Sequence, residues 1–265
     1  MAIYMWREKE PEELCFTANT AGSTVQLIKN GTLTAITLET STDWTTWNTY
    51  TIWNTITLTN IWDKVYFRNT SETTTWFSPA SNTNYQFVMT WSIAASWDIT
   101  SLINKNLTDT LTTTSVFSGL FAWCTSLTSA PKLPATTLTN ECYQVMFQWC
   151  TSLVTIHGLP ATTITENCYF RMFQWCTSLS ILPSLPALAL KNYCYQYMFA
   201  ECTNIKVSST QGWDYQTEYR IPITWTWTWG GSGSSGALYR MFYKAWWTTT
   251  TPSINTTYYT SNTVV

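Results

Sequence analysis

Apolar residues in the middle of the chain recur with a constant period of 26 residues. One cysteine series keeps this period throughout: Cys124, Cys150, Cys176 and Cys202. A second series lies eight residues upstream of it: Cys142, Cys168 and Cys194. A Met-Phe pair stands between the two cysteines in each of the three copies that have both, and Leu120-Phe121 takes its place before Cys124. A fixed period of this length is the signature of a repeat protein, in which each unit packs against the next.

Each repeat predicts one short apolar helical turn around Met-Phe and one short extended piece. The extended pieces begin at Leu127, Leu153 and Leu179, and prolines interrupt the chain after them. A unit this small cannot bury its own apolar face, so equivalent residues of successive units should stack into one core. The residues assigned to that core are Cys124, Cys142, Phe147, Cys150, Leu153, Cys168, Phe173, Cys176, Leu179, Cys194, Phe199 and Cys202. The pattern predicts a short solenoid over residues 106–205.

The preceding region alternates short β-prone runs with turn-type clusters. The runs are 14–18, 24–29, 33–40, 50–61 and 64–68, separated by sequences such as Lys29-Asn30-Gly31. This spacing favours an antiparallel β-sandwich-like domain over residues 12–105. The fold class predicted for the whole chain is therefore mixed and β-rich. The remaining segments are an N-terminal tail (1–11), a polar Gly-Ser insertion (206–236) and a degenerate repeat with a C-terminal cap (237–265).

Composition narrows the classes of partner. Charged residues make up only 11% of the chain and the net charge is -2, so no basic surface for nucleic acid or anionic lipid is expected. No apolar stretch approaches the roughly 20 residues of a membrane-spanning helix. Arg7 appears before any apolar segment has formed, so we expect no secretory signal peptide. These features predict a soluble protein without membrane insertion.

The cysteines and the single histidine do not form a recognisable catalytic or metal motif. The chain has no Cys-x-x-Cys and one histidine, His157. Cysteine spacings of eight and eighteen residues are unlike those of zinc sites, so the sequence favours buried free thiols over disulfides, metal ligands or a cofactor. No nucleotide, metal-hydrolase or calcium motif is present, and an exposed repeat residue is a better interpretation of His157 than a catalytic base. The chain is predicted not to be an enzyme.

Tryptophan is overused and glycine is scarce, with 17 Trp against 9 Gly. Many Trp residues stand where backbone chemistry favours glycine, as at Asp43-Trp44, at Trp62, and before the cysteine in the repeats at Trp149 and Trp175. Reading every Trp except Trp6 and Trp47 as Gly would give an ordinary composition. We therefore favour the hypothesis that UGA codons, which specify glycine in the source, were translated as tryptophan. The alternative is a true Trp-rich surface able to stack on sugars.

The repeat unit resembles the BspA-type, or Treponema-type, branch of leucine-rich repeats. The resemblance rests on Met146-Phe147-Gln148-Trp149-Cys150-Thr151-Ser152-Leu153 and its copies. It covers residues 113–205 well and 237–259 weakly. Members resemble surface or secreted adhesion proteins of host-associated microbes, and similar repeats occur in gut bacteria and their phages. The resemblance implies binding and brings no catalytic residues.

These observations predict a non-catalytic binding or adhesion protein that contacts a protein or glycan on a cell surface, with multivalent display. The expected location is the cell surface, the secreted fraction or a virion. The expected contact residues come from the variable extended segments: Lys132, Thr155, His157, Ser180 and Ser184. The alternative is a structural or virion-associated protein with the solenoid as a spacer. An enzyme ranks third, and it would require two carboxylates about 5 to 9 Å apart in a cleft.

Overall fold

The structure is a computed structural model. It describes residues 12–33, 36–71, 83–180, 183, 185–187, 189–205, 226–227, 236–237, 239–241, 243 and 245. This part of the chain is rich in β-structure, and its one helical element is a 3₁₀ helix, Ile99–Leu102, capped by the Asp98 side chain. The predicted β-rich character is confirmed. None of the described residues belongs to a helix long and apolar enough to cross a membrane.

The strands form two main sheets and one short pair. The strands are β1 (Leu14–Ala18), β2 (Ser23–Asn30), β3 (Leu38–Ser41), β4 (Asn48–Tyr50), β5 (Thr55–Leu58), β6 (Lys64–Asn69), β7 (Asn84–Thr90), β8 (Ile93–Ser96), β9 (Leu127–Ser129), β10 (Ala189–Leu190) and β11 (Thr226–Trp227). The larger sheet has the order β4-β3-β6-β1-β8-β9, and the smaller has the order β5-β2-β7. All pairs in these two sheets are antiparallel except β8-β9, which is parallel.

The two sheets pack against each other through aromatic rings. The ring of Phe87 in the smaller sheet lies 4.8 Å from that of Phe16 and 5.4 Å from that of Phe67, both in the larger sheet. Along β2, buried and partly exposed residues alternate, which places Val25 and Leu27 in the same core. The predicted runs at 14–18, 24–29 and 64–68 correspond to β1, β2 and β6.

Three predictions about the strands need correction. The run at 50–61 is interrupted by a turn, in which the Asn54 N–H donates to the Thr51 carbonyl at 3.0 Å. Tyr50 ends strand β4 before this turn, and Thr55–Leu58 forms β5 after it. In the run at 33–40, the described residues 33, 36 and 37 precede the strand, which begins at Leu38. Strands β7 and β8 were missing from the predicted runs, although Tyr85, Phe87 and Met89 alternate with period two in β7.

The first repeat lies along the edges of both sheets. Its strand β9 pairs with β8, while the Phe87 N–H of β7 donates to the Leu120 carbonyl at 2.8 Å. The Phe87 and Phe121 rings stack at 5.2 Å. A single hydrophobic core therefore runs from the sheets into the repeats. The hydrophobic core includes residues on both sides of residue 105. The boundary predicted there, between the β-sandwich-like domain and the solenoid, stays a prediction.

Equivalent aromatic residues of successive repeats are in direct contact. The rings of Phe121, Phe147, Phe173 and Phe199 stack in series at 5.3, 5.5 and 5.5 Å. Tyr143, Tyr169 and Tyr195 form a second series at 5.8 and 5.7 Å. The predicted stacking of the phenylalanines is confirmed.

The Met-Phe segments form chained turns, so the predicted helical turn is wrong. Alternate N–H groups point in different directions: the Phe147 N–H donates to the Met172 carbonyl of the next repeat at 2.9 Å, whereas the Gln148 N–H donates to the Val145 carbonyl at 3.1 Å. Every fourth residue here has a positive φ, as at Glu141, Val145 and Trp149. Backbone hydrogen bonds between repeats thus replace the bonds of a helix.

Of the predicted extended pieces, the first is a strand and the second is not. Leu127 begins β9, whereas the segment that follows Leu153 makes an isolated parallel bridge from Thr155 to Ser129. The segment that follows Leu179 lies only partly within the described residues. Prolines follow each of these segments and cannot donate a backbone hydrogen bond, which limits strand pairing. The three leucines are nevertheless fully buried, as expected of core residues.

Candidate functional site

The described surface of the repeats contains an open, mostly apolar groove of about 320 Å³. Lys132 and His157, from successive repeats, lie along it. Its floor and walls include Pro134, Pro160 and Pro186, which occupy the same position in three repeats. Because the repeats stack, one proline from each of the three repeats contributes to an apolar row along the groove.

Lys132 brings the positive charge to this groove. Its side chain is exposed, and its ammonium nitrogen lies 5.0 Å from the centroid of the Trp97 ring. The backbone of Lys132 is fixed on both sides, because its N–H donates to the Trp97 carbonyl at 2.8 Å and its carbonyl accepts from the Ile99 N–H at 3.2 Å. The six-stranded sheet region thus anchors the cationic end of the groove.

His157 is half-buried and shares the groove with Lys132. Burial, and then the positive charge of Lys132, lower the pKa of its imidazole below the ordinary value. A neutral imidazole has one nitrogen that donates a hydrogen bond and one that accepts. Together with the lysine ammonium and the proline row, the groove offers hydrogen bonding, one cation and apolar contact.

The other predicted contact residues have different positions. Thr155 is exposed, and its backbone joins the neighbouring repeat, with its carbonyl accepting from the Ala130 N–H at 2.9 Å. Ser180 is exposed, and Ser184 lies outside the described residues. Thr155 and Ser180 are not among the described residues that line the groove. The structure therefore brings together two of the five predicted residues, Lys132 and His157.

The prolines of the groove were not among the predicted contact residues. Pro134, Pro160 and Pro186 were visible in the sequence only as interruptions of the repeats. Their 26-residue spacing was the available signal, since equivalent residues of stacked repeats form surface rows as well as core rows.

All eight cysteines are buried free thiols, which confirms that prediction. Four of them repeat one contact: each Sγ–H donates to the carbonyl of an upstream phenylalanine. The pairs are Cys124 with Phe87 at 3.0 Å, Cys150 with Phe121 at 3.0 Å, Cys176 with Phe147 at 3.1 Å and Cys202 with Phe173 at 2.9 Å. Burial raises the pKa of these thiols, and it raises that of Cys194 to about 12. Thiols held protonated in this way are poor nucleophiles.

The described residues contain no group of three or more His, Cys, Asp or Glu side chains placed to hold a metal ion. Comparison with known proteins found no matching family model, no matching curated protein and no matching solved structure.

Proposed function

We propose that the chain is a non-catalytic binding or adhesion protein of the BspA-type leucine-rich-repeat family. In this proposal the repeats form a short solenoid, and the groove bounded by Lys132, His157 and the proline row contacts a protein or glycan on a cell surface. The observation that carries the proposal is that the groove is built by equivalent positions of successive repeats. A repeat surface of this kind contacts an extended partner without an enclosed pocket.

The chemistry of the groove suits an extended ligand with apolar and polar parts. The prolines present apolar ring surface, while Lys132 and His157 add a cation and a hydrogen-bonding imidazole at its edge. Three prolines and two polar side chains form a small contact area, so affinity at a single site should be weak. Display of several copies then raises the overall affinity without any new contact.

Binding of monomeric and artificially trimeric protein to a glycan array and to a panel of cells tests this proposal. The trimer should bind at least roughly a hundredfold more tightly than the monomer. Lys132→Ala and His157→Ala should each weaken trimer binding by about tenfold, and the matched Lys64→Ala change in strand β6 should leave it unchanged.

Two results would decide against this assignment. Equal absence of binding by both forms would favour a structural or virion-associated role for the repeats. Trimer binding that survives both groove substitutions would move the contact surface to another part of the chain.

A further inference from the structure

Nearly all tryptophans with described side chains have a left-handed backbone. The eight residues and their φ values are Trp44 (61°), Trp53 (78°), Trp62 (73°), Trp91 (61°), Trp97 (63°), Trp123 (65°), Trp149 (66°) and Trp175 (67°). Among the tryptophans whose side chains are described, Trp47 is the exception. A bulky residue in this region is a conformational outlier, because its Cβ approaches the backbone too closely. A property shared by eight tryptophans requires one common cause.

Three turns place tryptophan and glycine in the same backbone position. Each is closed by an N–H that donates to the carbonyl three residues earlier: Ser23 to Thr20 at 3.3 Å, Asn54 to Thr51 at 3.0 Å and Asp63 to Asn60 at 3.3 Å. The third residue of the first turn is Gly22, with φ of 78°, and the third residues of the others are Trp53 and Trp62. A positive φ at this position of a turn normally requires glycine.

Among the described residues of the sheet region, this backbone occurs only at tryptophan and glycine. Among described residues before 103, positive φ occurs at Gly22, Gly31 and five tryptophans. Other residue types reach positive φ within the repeats, at angles from 47° for Leu107 to 62° for Glu201. The repeat tryptophans have φ of 65–67°, close to that of Gly119 at 67°, and Glu201 occupies the same slot of the next repeat at 62°.

The side chains of these tryptophans contribute little to the core. Trp62 and Trp91 are 71% and 69% exposed, and none of the eight is buried. An indole ordinarily supplies one of the largest buried surfaces in a protein. The Arg68 guanidinium carbon lies 3.8 Å from the centroid of the Trp47 ring. Two of the eight also have a polar partner, since the Trp44 Nε1–H donates to the Glu13 carboxylate at 2.6 Å and the Lys132 ammonium lies 5.0 Å from the Trp97 ring centroid. The positive φ is therefore the property that separates the eight from Trp47.

We infer that the native protein carries glycine at these eight positions, and that its gene uses UGA as a glycine codon. A single reassigned codon places the same foreign residue wherever the native chain has a UGA glycine, whatever the local structure. It leaves Trp47, a true tryptophan, unaffected. The stacked Trp123, Trp149 and Trp175 side chains, 4.8 and 4.5 Å apart, are then no platform for sugars, and the contact surface lies elsewhere on the repeats.

The coding sequence and the protein made in its natural source give the direct test. The eight positions should be UGA codons and Trp47 should be UGG. Mass spectrometry of peptides from the natural source should show glycine at Trp149 and Trp175 and tryptophan at Trp47. UGG codons at the eight positions, or peptides with tryptophan there, would overturn the inference.

A stability comparison tests the same inference on the recombinant chain. Trp62→Gly and Trp91→Gly should each raise the ratio of folded to unfolded protein roughly fivefold or more over the matching Trp→Ala variant, since only glycine relieves the left-handed strain. The control variants are Trp47→Gly and Trp47→Ala. Both should be less stable than the unchanged protein, and the glycine variant should be no more stable than the alanine variant. An alanine variant as stable as the glycine variant at Trp62 and Trp91 would show that these positions do not select glycine.

Discussion

At the residue scale, the groove depends on one pair of neighbours from successive repeats. The charge of Lys132 acts on His157, and both line the same apolar groove. The sequence indicated each residue separately, as a polar side chain in a variable segment. Their proximity depends on how far the repeats advance per unit, which a period in sequence does not specify.

The single histidine allows this pair to be tested by titration. Because burial and the Lys132 charge both disfavour the imidazolium, the His157 signal in a proton NMR titration should have its midpoint below the ordinary value of 6.5. Lys132→Ala should raise that midpoint without taking it above 6.5, since burial remains. The Lys64→Ala control should leave it unchanged.

The same shift has a consequence for stability. The unfolded chain binds a proton at His157 more readily than the folded protein does, so this group makes the folded protein less stable as pH falls through the ordinary histidine range. Above that range the contribution is fully recovered. A wild-type midpoint at or above 6.5 would contradict the described environment of His157.

At the element scale, the repeats depend on stacked rings and chained turns. The Phe147 ring is fully buried and stacks on the rings of both neighbouring repeats, at 5.3 and 5.5 Å. Phe170 lies in the same turn region of the next repeat but is only partly buried, with the Arg171 guanidinium beside its ring. Two phenylalanines of one kind of turn therefore have very different surroundings.

Replacement of these two phenylalanines measures the contribution of the stack. Phe147→Ala should lower the free energy of unfolding by about 3–5 kcal/mol, because it removes a buried ring and leaves a cavity. Phe170→Ala should cost about 1 kcal/mol or less. Urea denaturation followed by circular dichroism gives both values. Similar losses for the two variants would mean that the Phe147 stack does not support the fold.

The sequence predicted the stack but not the backbone that carries it. A constant period is enough to place Phe147 and Phe173 in contact, because equivalent residues of stacked units superimpose. The period does not reveal that Glu141, Val145 and Trp149 adopt positive φ, since nothing in those three residue types favours that conformation. The predicted helical turn was wrong for this reason.

Strand prediction succeeded where alternation was clear and turns were marked. Gly22 and Gly31 mark the ends of β2, and the predicted run there was nearly complete. Trp53 lies in a turn that interrupts the run at 50–61, at a position with positive φ that normally requires glycine. Because the sequence has tryptophan there, it gives no sign of the turn. Recognition of the groove required the tertiary fold, because its prolines are far apart in the chain.

At the scale of the whole molecule, the sheets and the repeats share one core. The ring of Phe121, in the first repeat, contacts Phe87 at 5.2 Å and Phe16 at 6.2 Å, which belong to the two different sheets. It also stacks on Phe147 in the second repeat. One buried side chain thus joins both sheets to the stacked repeats.

This arrangement predicts that the sheets and the first repeats unfold together. Phe121→Ala should reduce the hydrogen-exchange protection of the Phe16 amide in β1 and of the Phe147 amide by a similar factor, roughly a hundredfold to several thousandfold, since losing a buried ring costs about 3–5 kcal/mol. The exposed Val154 provides a control, because Val154→Ala should change protection at neither amide appreciably. Hydrogen exchange resolved by NMR measures both amides in one sample. Protection lost only at Phe147 would show that the sheets hold their fold without the repeats. The shared core would then be a contact between independent units, and the boundary at residue 105 would mark a true division of stability.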